Sequence, residues 1–131
     1  MRWFLIFVSL TALLVGCRGP GAGATAGTSN EGATVDVELP PDPAVGPAAV
    51  TVRVAREGAP LEGADVEVTG DMTHAGMVPV VAAASEVEPG VYRTDAFAFD
   101  MAGDWIVTAE VDLPDGGGEA RGEASTTVRR P

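Results

Sequence analysis

The 131 residues carry 19 Asp and Glu against eight Arg and no Lys, a formal net charge of −11, with one His and one Cys. That charge excludes a nucleic-acid partner, whose phosphates need a basic patch, and a polybasic grip on anionic lipid. One Cys makes neither an internal disulfide nor a thiolate zinc cluster, and the length fits one domain whose core, at 5% aromatic residues, must come from Val, Ala, Leu and Ile.

The chain opens MRWFLIFVSLTALLVGC. Arg2 precedes an apolar run from Trp3 to Val15 that is short of the about 20 residues a helix needs to span a bilayer. A basic start, a short apolar stretch and a small residue before a cleavage point describe a secretory signal, here residues 1–16. Leu14-Val15-Gly16-Cys17 resembles a bacterial lipobox, in which cleavage precedes the Cys and its sulfur receives a diacylglycerol. A lone thiol in an oxidising compartment needs a reason, and acylation of Cys17 supplies one. The expectation is an exported protein, lipid-anchored on the extracytoplasmic face of the cell envelope. Cleavage would leave seven Arg against 19 acids, a charge of −12.

Residues 17–34, the lipidated Cys and its tether, are dominated by Gly, Ala, Ser and Thr and hold no large apolar side chain, so they read as a flexible spacer. From residue 35 to 131 the dominant period is two. Val35, Val37 and Leu39 alternate with Asp36 and Glu38, and the prolines from Pro40 onward end that strand. Val50, Val52 and Val54 repeat the pattern, as do Ala64, Val66 and Val68. Val78 to Ala84 and Val91 to Phe99 are further candidates, with a Gly90 turn between them. Trp105, Val107, Ala109 and Val111 form an inward row, Asp115 to Gly118 turns the chain, and Ala124 to Val128 closes the domain. About seven short strands separated by turn signals predict an all-β, antiparallel sandwich.

Chemistry concentrates in two segments, Asp71-Met72-Thr73-His74-Ala75-Gly76-Met77 and Phe99-Asp100-Met101-Ala102-Gly103-Asp104-Trp105. Apart from Met1, every Met lies in one of them, and the single His stands between two of the three. Thioether sulfur is soft and neutral and imidazole borderline, so Met72, His74, Met77 and Met101 favour Cu(I) over Zn²⁺ or Ca²⁺. Asp71 and Asp100 would add charge, or serve Cu(II) as oxygen ligands beside His74. Met also fills gaps in cores, and Met101 lies at period two from Phe97 and Phe99, as the next core residue of that strand would. No nucleophile elbow, phosphate loop or EF-hand is present, and the many acids follow the alternation of a solvated sheet face. The expectation is not an enzyme.

Gly90-Val91-Tyr92, followed by Met101-Ala102-Gly103-Asp104-Trp105, resembles the G-x-Y … M-x-G-x-W signature of YtkA-like domains. Gly63-Ala64-Asp65-Val66 with Met72, His74 and Met77 resembles the same family's strand and Met/His loop. The resemblance implies an immunoglobulin-like β-sandwich, secreted or membrane-tethered, related to FixH-type and CopC-like domains associated with copper handling or cytochrome oxidase assembly. Two functions follow as expectations. One is a lipid-anchored Cu(I) carrier working beside a copper transporter or an oxidase-assembly protein. The other is a metal-free, envelope-tethered interaction module whose Met loop is an adaptable apolar contact surface.

Overall fold

The computed structural model describes residues 24–28, 32–74 and 76–131. The expected signal segment and Cys17 lie outside them. Among the described residues eleven strands run in chain order: β1 (Ala24–Thr28), β2 (Ala33–Glu38), β3 (Gly46–Pro47), β4 (Val50–Arg56), β5 (Ala59–Pro60), β6 (Asp65–Met72), β7 (Val80–Glu88), β8 (Val91–Thr94), β9 (Ala98–Phe99), β10 (Gly103–Asp112) and β11 (Glu119–Val128). A single 3₁₀ turn, Pro114–Gly116, is the only helical element among the described residues.

Alternation along the chain becomes alternation of burial. In β2 every second residue from Ala33 is buried; in β4 Val50, Val52 and Val54 are; in β10 Trp105, Val107, Ala109 and Val111 are. Each fully buried Val is stabilised by about 1.5–3 kcal/mol relative to exposure, and a core of valines is therefore sufficient without many aromatics. Seven to eight of the strands form an immunoglobulin-like sandwich, and their ladders are all antiparallel.

The two layers close on each other. Spatial order is β2-β1-β11-β10-β6-β7-β8-β4, and β4 pairs back onto β2. Two strands change layer. Ala24 and Thr25 of β1 pair with β11 while Ala26 to Thr28 pair with β2. Val80 to Ala84 of β7 pair with β6 while Ser85 to Glu88 pair with β8 across a bulge at Glu86/Glu88, which bends the strand round the corner. Closure satisfies the edge groups that an open sandwich leaves bare.

Three expectations are corrected by this arrangement. The sheet begins before residue 35: β1 lies within the stretch expected to be spacer, and Ala33 is fully buried. A ladder is made by backbone N–H and C=O groups, which a Gly/Ala/Thr stretch carries as well as any other. The single strand expected over Val91 to Phe99 is two, because Thr94 Oγ1 accepts the Ala96 N–H at 3.2 Å and turns the chain. Val78 lies outside the strand expected there; it is 80% exposed, and β7 runs from Val80 to Glu88.

Close approaches inside the barrel are made at glycine. A side chain on Gly122 would begin 2.5 Å from the Val35 carbonyl oxygen, so β11 lies directly on the backbone of β2. Gly70 supports the ring of Phe97, the first of an edge-to-face series whose centroids are 5.1 Å (Phe97–Phe99) and 5.3 Å (Phe99–Trp105) apart. Tyr92 is buried at the other end. Its hydroxyl donates to the Leu61 carbonyl at 2.8 Å and accepts the Ala64 N–H at 3.0 Å, joining β8 to the chain entering β6.

Candidate functional site at the methionine end

The β6–β10 ladder runs without interruption from Asp65↔Asp112 to Met72↔Trp105. It is extended by one more bond, in which the Thr73 N–H donates to the Asp104 carbonyl at 3.2 Å. The chain then leaves the sheet, passes Gly76 at a φ of +92°, and rejoins as β7 at Val80, opposite Gly70. That φ is one glycine adopts freely and other residues rarely do. The loop holding His74 and Met77 is thus an excursion between two paired strands.

The second segment approaches the same end. After Phe99 the chain turns through Asp100 to Ala102 and enters β10 at Gly103. The Trp105 indole N–H donates to the Met101 carbonyl at 3.0 Å, which fixes the turn to the buried ring that follows it. Gly103 has a φ of +140°, and a side chain on it would begin 2.6 Å from the Met72 Cε. The Met72 side chain therefore crosses the strand start two residues beyond Met101. The clustering of these two segments in sequence becomes a clustering in space because the ladder carries Met72 to the level of Trp105.

Each residue of the expected set has a definite setting. Met72 is half-buried and packs on the core; His74 is exposed; Met77 is half-buried. Met101 is 47% exposed, which corrects its alternative reading as the next core residue after Phe99: the turn at Asp100 breaks the period-two row. Contact ties Met72 to the Met101 segment, whereas His74 and Met77 join it through their shared loop. Asp71 is an exposed strand residue opposite Ile106, one position out of phase with Met72, so alternation points it away from the Met72 side.

Among the described residues no three His, Cys, Asp or Glu side chains converge as metal ligands would. What this end offers is thioether and a single imidazole, a soft donor set rather than a carboxylate cage. Sequence reasoning missed Val78, whose exposure adds an apolar side chain beside Met77. It read as a strand residue, and nothing in its neighbours distinguishes it. A groove of about 620 Å³ lies elsewhere, toward the opposite end of the outer face of β6, β10 and β11. Its rim carries Asp65, Glu67, Glu110, Asp112, Glu119 and Arg121, charges that water solvates.

No curated protein and no solved structure matches the chain. A family model does, described as YtkA-like and spanning residues 28–110. That span runs from the end of β1 to the second half of β10 and contains both Met-bearing segments. The strands from β2 to most of β10, the Gly90-Val91-Tyr92 hairpin and the Met101–Trp105 turn fall inside it, and the chain belongs to the YtkA-like family.

Proposed function

We propose that the protein is an extracytoplasmic accessory domain, anchored to the membrane by a lipid on Cys17, that carries Cu(I) at its methionine end. One observation supports this reading above the others: the β6–β10 register sets both Met-bearing segments at one end of the barrel, with Met72 lying over Gly103. Met72, His74, Met77 and Met101 are the ligands we assign. Thioether sulfur needs no deprotonation to bind, so three of the four remain competent at acidic pH. Half-buried and exposed ligands at a strand end, a loop and a turn suit a carrier, which must surrender its cargo to a partner such as a copper transporter or an oxidase-assembly protein.

The test is a Cu(I) competition titration of the full chain in detergent, under reducing conditions, against a colorimetric chelator. Met72→Leu, Met77→Leu and Met101→Leu remove sulfur at nearly constant volume, so they separate coordination from packing. His74→Ala removes the imidazole from an exposed position. Stoichiometric binding that weakens in each variant supports the assignment. A folded wild type that leaves all copper with the chelator refutes it, and leaves the metal-free interaction module as the reading of this surface.

A further inference from the structure

The three methionines of the candidate site differ in how far solvent reaches them, and each setting has a structural cause. Met72 ends β6 as the cross-strand partner of Trp105; it packs against the core, with its Cε over Gly103. Met77 is half-buried in the loop after Gly76. Met101 is 47% exposed, because the chain turns at Asp100 and leaves the period-two row that carries Phe97 and Phe99 inward.

What ties residue 101 to the barrel is its backbone. The Met101 carbonyl accepts the Trp105 indole N–H at 3.0 Å, and Trp105 is buried with its ring edge-to-face with Phe99. A main-chain atom holds the turn, while the side chain faces solvent. A chemical change on that side chain therefore leaves the hydrogen bond and the core in place. The same change on Met72 would set a polar group against the core.

We propose that Met101 is a site of reversible oxidation that switches the carrier off: peroxide converts its thioether to the sulfoxide, and Cu(I) is released. In the forward step the sulfur lone pair attacks a peroxide oxygen, the O–O bond breaks and an S–O bond forms. Sulfur loses two electrons, hydrogen peroxide gains them, and water leaves. In the reverse step a dithiol supplies two electrons and two protons; the oxygen departs as water and a disulfide remains. The sulfoxide presents a hard oxygen where a soft sulfur stood, a donor that Cu(I) disfavours. Access sets the order of reaction, Met101 first, Met77 next and Met72 last, so a ligand is lost before the core is damaged. The switch rests on the Cu(I) assignment of the proposed function; the order of oxidation does not.

The test treats the full chain in detergent with graded hydrogen peroxide, removes the excess with catalase, and maps the added oxygen by peptide mass. Cu(I) affinity is then read by chelator competition in ascorbate, which leaves sulfoxides intact, beside Met101→Leu with and without peroxide. Oxygen should appear at Met101 while Met77 and Met72 are unmodified, with no change in circular dichroism. At that dose the affinity should fall by about tenfold or more, to the level of Met101→Leu, which the same dose leaves unaltered. A pair of dithiol-dependent sulfoxide reductases, one for each epimer, should restore both mass and affinity. Oxygen at Met72 or Met77 as early as at Met101, unfolding on the first oxygen, or an affinity that does not recover overturns the proposal. A Met101 sulfoxide that holds Cu(I) as tightly as the thioether overturns the switch and leaves the carrier standing. An unmodified protein that binds no Cu(I) overturns the carrier, and the switch with it, whatever the mass map shows.

Discussion

Gly103→Ala tests whether the methionine end is held by backbone conformation or by contact. At a φ of +140° Gly103 occupies a region that L-residues rarely enter, and forcing Ala there costs about 1–3 kcal/mol. The added methyl would also begin 2.6 Å from the Met72 Cε, roughly 1 Å inside the favourable carbon–carbon separation. Met72 has three rotatable bonds and an exposed flank, so it yields by changing rotamer, at about 0.5–1.5 kcal/mol. The sum, about 2–4 kcal/mol, corresponds to a fall in Tm of roughly 8–15 °C for a domain of this size. Denaturant unfolding of wild type, Gly103→Ala, Met72→Ala and the double variant separates the parts. The coupling energy should be about 1 kcal/mol, because removing the Met72 side chain relieves the clash and leaves the strain. A Gly103→Ala protein within about 0.5 kcal/mol of wild type refutes the reasoning. So does a double variant in which the whole loss is recovered, since the cost would then be contact alone. The Cu(I) affinity of Gly103→Ala should fall as well, as Met72 is displaced from the Met101 turn.

Two further outcomes follow from the opposite end of the barrel. Burial pushes the Tyr92 phenol above its ordinary value of 10.0, with Glu86 and Glu62 adding repulsion against the Ala64 N–H that opposes them. A folded-state value above the unfolded one means that this contribution to stability is complete below the unfolded pKa and is lost as pH rises through the folded one. As the chain's one Tyr, it reports its own ionisation by ultraviolet absorbance, which should lag behind that of the unfolded chain until the protein opens. Tyr92→Phe should cost about 1–3 kcal/mol at neutral pH, through an unsatisfied Ala64 N–H and Leu61 carbonyl, and should remove this alkaline component; an unchanged pH profile would contradict it. Arg56 gives the opposite sign: its Nε and Nη2 are buried with no hydrogen-bond partner among the described residues, and Nη2 lies beside Gly117. Arg56→Met keeps the apolar stem and removes a poorly compensated cation, so thermal unfolding should show a gain of about 1 kcal/mol; a loss of similar size would show that the guanidinium is satisfied in solution.

The strands were legible wherever a large apolar residue recurred at every second position. Val35 and Val37, Val50 to Val54, Val66 and Val68, and Trp105 to Val111 all became interior rows. Gly90 at a φ of +73° and the bonded Tyr92 hydroxyl also follow from residue type alone, since each has few ways of being satisfied. The grouping of Met72, His74, Met77 and Met101 was visible as two short segments. That they share one end of the barrel was not, because it depends on the pairing of β6 with β10 across more than 30 residues of chain.

What the sequence by itself determined is the all-β class, the inward rows and the identity of the soft donors, because these depend on local period and side-chain chemistry. Tertiary structure decided the rest. Closure of the ring through β1 is a matter of backbone pairing, which hydropathy does not record, and it draws Ala24 to Thr28 into a sheet that composition alone assigns to a spacer. Burial of Met72 against exposure of Met101 is likewise set by where the chain turns, since the same side chain fills a core or faces solvent according to which backbone passes beneath it.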